Sequence, residues 1–264
     1  MPNILVYDSG LGGLTVYDRI AAAHPDAQFS YVADDAVFPI GRMAPDALVA
    51  RVLAVMERLI PERRADIVVI ACNTASTLVM PPLRAKFQEP FVGTVPAVKP
   101  AAEQSKNGVF SVLATPGTVR RDYTHDLIIQ FAPKSRVTLV GSENLARLGE
   151  AHLRGEPVSD EAIRAEIAPA FVDHDGKRTD TIVLACTHYP LLLDRFEKLA
   201  PWPVTWIDPA PAIARRVTQL IGEAASSARS GKNIAIFTKK PPEPALQQAL
   251  IARGLTEFAV AEIA

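Results

Sequence analysis

The chain has 264 residues, with 28 Lys and Arg against 29 Asp and Glu, a formal net charge of −1, 48% hydrophobic and 22% charged residues, and two cysteines. That balance argues against nucleic acid or an anionic membrane as partner. No apolar run approaches the roughly 18 residues of a spanning helix, and the start MPNILVYDSG lacks the basic region of a signal peptide. The expectation is a cytoplasmic protein with reduced thiols and no disulfide framework.

In chain order, NILVY (3–7), DIVVIA (66–71), GVFSVLA (108–114), RVTLV (136–140), DTIVLA (180–185), PVTWI (203–207) and NIAIF (233–237) read as strands. They are continuously apolar rather than alternating, which suits strands covered on both faces. Helical patterns fall between them, at 12–23, 46–60, 75–87, 117–131, 142–154, 159–173, 190–199, 209–222 and 243–253. The β-α alternation predicts parallel sheets. Pro-rich loops are expected at MPP (80–82), TVPAVKP (94–100) and APWP (200–203).

One segment occurs twice. DIVVIACNTAS (66–76) and DTIVLACTHYP (180–190) share an Asp, an apolar strand, Ala-Cys and a hydroxyl-bearing turn, and together they hold both cysteines. The fold class expected is therefore α/β: two pseudo-symmetric parallel-sheet domains with the active site in the cleft between them. The first would comprise 1–96 plus 208–264 and carry Cys72; the second, 97–207, would carry Cys186.

Ligands of open parallel sheets bind beyond the carboxyl ends of the strands, and both cysteines fall at such ends. Each precedes a predicted helix N-terminus, whose N–H groups and dipole favour an anion and lower a thiol pKa from about 8.5. Two thiols flanking one substrate could remove a proton from one face of a carbon and return one to the other. The competing readings are small buried core cysteines and a redox pair, which usually shows C-x-x-C spacing. The duplication favours the acid/base pair. Asp8 ends the first strand, beside Ser9, Gly10, Gly12 and Gly13. It can cap a helix or orient Cys72 or a substrate ammonium. His188 lies two residues beyond Cys186, whereas His24, His125, His152 and His174 have no motif around them. No cluster has metal-ligand spacing, and no metal is expected.

The stretches DSGLGGL (8–14), ACNTAS (71–76), ATPGTV (114–119), ACTHYPLL (185–192) and WIDPAPAIARRV (206–217) together resemble the glutamate racemases of the cofactor-independent aspartate/glutamate racemase superfamily. The resemblance implies interconversion of L- and D-glutamate without pyridoxal phosphate, a role in peptidoglycan synthesis, and a homodimer. Carried over by position, it makes Cys72 and Cys186 the acid/base thiols. Cys72 would act on D-glutamate, assisted by Asp8, and Cys186 on L-glutamate, assisted by His188 and Glu150. Ser9, Asn73, Thr74, Thr115, Thr118 and Thr187 would hold the carboxylates and ammonium. The family's Pro-Tyr-Gly loop reads Pro39-Ile40-Gly41 here, Arg121 stands where many members have a small hydroxyl residue, and GSENLARLGE (141–150) lacks the usual Cys-Pro pattern. For Ile40→Tyr the expectation is a modest change in turnover without unfolding. The other readings are a racemase of another acidic amino acid, such as aspartate, and a non-catalytic amino-acid-binding relative. Retention of both thiols, Asp8 and His188 argues against the latter.

Overall fold

The computed structural model describes residues 1–225 and 233–263. Residues 1–94 give β1 (Asn3–Asp8), α1 (Leu14–Ala23), β2 (Gln28–Ala33), α2 (Pro45–Arg63), β3 (Ile67–Ile70), α3 (Asn73–Lys86) and β4 (Phe91–Gly93). Next come α4 (Val98–Gln104), β5 (Val109–Ala114), α5 (Pro116–Val119), α6 (Asp122–Phe131), β6 (Arg136–Gly141), α7 (Leu145–Leu153) and α8 (Asp160–Ile167). They are followed by β7 (Asp173–His174), β8 (Lys177–Arg178), β9 (Thr181–Ala185), α9 (Leu193–Leu199) and β10 (Thr205–Ile207). The chain ends with α10 (Ala210–Ile221), β11 (Asn233–Phe237), α11 (Pro244–Ile251) and β12 (Leu255–Val260).

These elements form two compact units, Met1–Thr94 with Ala210–Ala264, and Val95–Pro209. The first holds a six-stranded sheet in the order β12-β11-β2-β1-β3-β4 and the second a four-stranded sheet in the order β10-β9-β5-β6. Every pairing in both is parallel. The two-domain parallel α/β architecture is the one the sequence predicts. β3, β5 and β9 are buried at every residue, which is why they read as unbroken apolar runs. In the first unit Leu5, Tyr7, Val68 and Ile70 pack with Leu48, Val52, Val55 and Met56 of α2 and Val79 and Leu83 of α3. In the second, Phe110, Val112 and Val183 pack with Val98 and Ala101 of α4.

The proline expectation fails at MPP. Pro81 and Pro82 lie inside α3, so they cannot donate to the carbonyls of Thr77 and Leu78. The helix continues because its buried residues, Ala75, Val79, Met80 and Leu83, outweigh the two missing bonds. The predicted helix 117–131 is two, α5 and α6, broken at Arg120 and Arg121. The predicted helix 159–173 ends as α8 at Ile167 and runs on through a 3-10 turn into β7.

Candidate active site

In the first unit the candidate residues gather at the carboxyl ends of β1 and β3. Asp8 closes β1 fully buried, and its Oδ2 accepts a hydrogen bond from Gly10 N at 2.9 Å. Gly13 is required beside it: a Cβ there would stand 2.6 Å from Asp8 Cβ and 3.1 Å from Ala71 Cβ. The close approach of α1 therefore fixes where the carboxyl sits. Cys72 follows β3 in extended conformation and occupies the cap position of α3, whose first turn has no side-chain cap. The thiol is nearly buried, and its Sγ lies 3.5 Å from Ser9 Oγ. The uncapped N–H groups and the dipole of a 14-residue helix favour negative charge at this point.

Asn73 and Thr74 open α3, both buried. Among the described residues, neither the oxygen nor the nitrogen of the Asn73 amide has a hydrogen-bond partner. A buried amide with nothing to bond costs on the order of 1–3 kcal/mol, so this side chain fits a polar ligand. Ser76 braces the turn, donating to Ile70 O and accepting from Thr94 N, each at 3.0 Å.

The loop Pro39-Ile40-Gly41 departs from expectation. Residues 40–42 form a 3-10 turn packed on α3. The Ile40 side chain is 2% exposed, in the same apolar cluster as Tyr7, Val52 and Cys72. Its neighbours Pro39 and Gly41 are half-buried. Ile40→Tyr must therefore force a ring into a filled core, and a stability loss of about 1–3 kcal/mol is expected. Thermal denaturation should show a Tm lower by several degrees. An unchanged Tm would mean that the new ring turns out of the core.

Sequence reasoning missed a buried polar network under β1. Asp34 follows β2 with no exposure and is held by Arg51 of α2, whose Nη2 lies 2.7 Å from Oδ1. Thr238 Oγ1 donates to the same oxygen at 2.7 Å, and the Tyr7 hydroxyl donates to Oδ2 at 3.1 Å. Burial, reinforced by Asp34, pushes the Tyr7 hydroxyl well above its ordinary range, so it stays a neutral donor.

In the second unit, Thr115 caps α5. Its Oγ1 accepts from Thr118 N at 3.3 Å and lies 3.1 Å from Thr118 Oγ1. The Thr124 hydroxyl donates to Thr118 O at 2.7 Å, tying α6 to this turn. Cys186 follows β9, nearly buried, with Thr187 and His188 equally so. Here the helix expectation does not hold: the residues after His188 form a 3-10 turn, Tyr189–Leu192, before α9 starts. The thiol has an imidazole instead. His188 Nδ1 lies 3.8 Å from Cys186 Sγ, and Nε2 lies 3.2 Å from Glu150 Oε1. Glu150 reaches it from α7, which can come close because residue 149 is glycine: a Cβ there would be 2.9 Å from His188 O. Both cysteines are free thiols. Among the described residues no group of three or more His, Cys, Asp and Glu could hold a metal ion, and no helix is long and apolar enough to cross a membrane.

Each parallel α/β unit thus presents a thiol at a strand's carboxyl end, a placement suited to acid/base chemistry on a ligand bound there. The Asp/Glu/Hydantoin racemase model matches residues 9–217, and the chain belongs to that family. The glutamate racemase of Agrobacterium fabrum is 52% identical over 255 residues, covering 96% of this chain and 93% of its own length. That of Sinorhizobium medicae is 53% identical over 262 residues, covering 98% and 97%. The crystal structure of Escherichia coli glutamate racemase in complex with L-glutamate and the activator UDP-MurNAc-ala matches with a TM-score of 0.91 at 38% identity, covering 100% of this chain and 99% of that one.

Proposed function

We propose that this chain interconverts L- and D-glutamate by a two-thiol acid/base reaction without pyridoxal phosphate, and that the D-glutamate supports peptidoglycan synthesis. The observation that carries the substrate is the identity of 52–53% with glutamate racemases along nearly the whole chain. Two free strand-end thiols, one in each unit, support the mechanism. With L-glutamate, the Cys186 thiolate takes the proton from Cα and becomes a thiol. The electron pair left on Cα is drawn into the α-carboxylate. The Cys72 thiol then delivers its proton to the opposite face and is left a thiolate. Exchange with solvent restores the starting protonation. In the reverse direction the two thiols trade roles.

Asp8 would serve the Cys72 half, and His188 with Glu150 the Cys186 half. Because Cα–H is a poor acid, the rate depends on groups that stabilise the charge that develops. The open first turn of α3 and the unpartnered Asn73 amide support a carboxylate site there. Ser9, Thr74, Thr115, Thr118, Thr187 and the backbone of Pro39-Ile40-Gly41 complete the proposed polar contacts. The resemblance supports a homodimer as the working unit, and the charge balance and free cysteines support a cytoplasmic setting. The test is chiral chromatography of purified protein supplied separately with L-Glu, D-Glu, L-Asp and D-Asp. Glutamate is expected to be inverted fastest, with no change when pyridoxal phosphate is added. Faster inversion of aspartate, or inversion of neither, would overturn the assignment.

A further inference from the structure

We propose that Arg154 is a positioning residue for the Cys186 half of the reaction, acting through Glu150 and His188. The proposal rests on the functional reading above. Its starting point is the way α7 meets the turn after β9. With no Cβ at Gly149, the helix backbone packs directly on His188, and the next residue, Glu150, brings its carboxylate to the imidazole. A glutamate's last torsion is broad, so one contact does not fix which oxygen faces the histidine. Arg154, one turn later at the end of the same helix, supplies the second. Its Nη2 lies 3.4 Å from Glu150 Oε2, while Oε1 lies 3.2 Å from His188 Nε2. Thiol, imidazole, carboxylate and guanidinium thus form one line of contacts, Cys186–His188–Glu150–Arg154.

The line matters because His188 faces the thiol through Nδ1. A carboxylate held on Nε2 keeps a proton there and fixes the ring with Nδ1 facing the thiol, where a proton must pass. If Glu150 swings away, the transition state for proton transfer at Cys186 rises and that at Cys72 does not. Arg154 itself has a side chain 31% exposed, and an i,i+4 pair at a helix end contributes little to folding. Its removal should therefore report on chemistry rather than on stability.

Enantiomers have equal free energy, so kcat/KM falls equally in both directions and cannot assign the defect to one thiol. Isotope effects can. For Arg154→Gln, kcat/KM is expected to drop roughly 3- to 10-fold, the scale of one lost, partly solvent-exposed hydrogen bond. The primary deuterium effect measured with L-[2-²H]glutamate should rise, because abstraction by Cys186 becomes more rate-limiting. The effect measured with D-[2-²H]glutamate should fall toward unity. Arg154→Lys, which keeps a cation one turn from Glu150, should return both effects toward wild type. Equal isotope effects in Arg154→Gln and wild type, or an unchanged rate, would overturn the proposal while leaving the functional reading intact. A wild-type protein that fails to racemise glutamate would overturn the functional reading and this proposal with it.

Discussion

Cys72→Ala and Cys186→Ala are each expected to abolish inversion of glutamate, with kcat reduced on the order of 10²–10⁴-fold or more. One remaining base can return a proton only to the face from which it came. Wild-type protein in D2O should place deuterium at Cα of the inverted product from either enantiomer, because thiol protons exchange with solvent. The check is mass spectrometry of separated enantiomers after brief turnover. Each substitution removes one sulfur from a nearly buried site, so the fold should persist and circular dichroism should match wild type. Inversion at a near wild-type rate by either variant would sink the two-thiol mechanism. The two variants need not behave alike in side reactions. Cys72 faces Ser9 and the start of α3, whereas Cys186 faces an imidazole. The two halves of the duplicated motif thus surround their thiols by different means.

That difference marks where the sequence stops being legible. The strands β1, β3, β5, β6, β9, β10 and β11 stand where apolar runs predict them; β1, β3, β5, β9 and β11 are buried along nearly all their length, so no polar register disguises them. β2 and β12 escape the same reading. Ser30 interrupts the first, and Thr256 and Glu257 the second. β4 has only three residues. At the candidate site, Cys72, Ser9, Asn73, Cys186 and His188 are legible as candidates because three short motifs carry them. The helix expected after Cys186 fails because Pro190 and the Leu run after it support a 3-10 turn first. Ile40 reads as a loop residue from its Pro-x-Gly setting, yet it is a core residue because the turn folds down onto α3. Arg154 carries no local signal beyond its i,i+4 spacing from Glu150, and the link to His188 is made only when α7 packs. Thr238 could not be joined to Asp34 by any pattern, since more than 200 residues separate them.

The Asp34 network carries the largest stability effect expected. Asp34→Ala should destabilise the protein by about 3–5 kcal/mol, the usual result of leaving one member of a buried ion pair without its partner. Arg51 has a side chain only 14% exposed, and Asp34 none. The guanidinium would keep its bond to Ile263 O but lose the only carboxylate it meets in an ion pair among the described residues. The Tyr7 and Thr238 hydroxyls would lose an acceptor as well, and each orphaned group adds to the cost. The consequence reaches the site because Tyr7 is the residue before Asp8, and Asp34 N also bonds to Asp8 O at 2.9 Å. A loosened β2 end therefore shifts the strand end that carries the Asp8 carboxyl and, next to it, Ser9, whose hydroxyl meets Cys72. Urea denaturation should show the full loss in ΔG, and calorimetry a Tm lower on the order of 10 °C. In the double variant Asp34→Leu/Arg51→Leu, which removes both charges, the loss should be smaller than in Asp34→Ala alone, since no buried charge is stranded. A loss below about 1 kcal/mol for Asp34→Ala would mean that water reaches Arg51 and that the network is not the brace of β1 and β2 inferred from its burial.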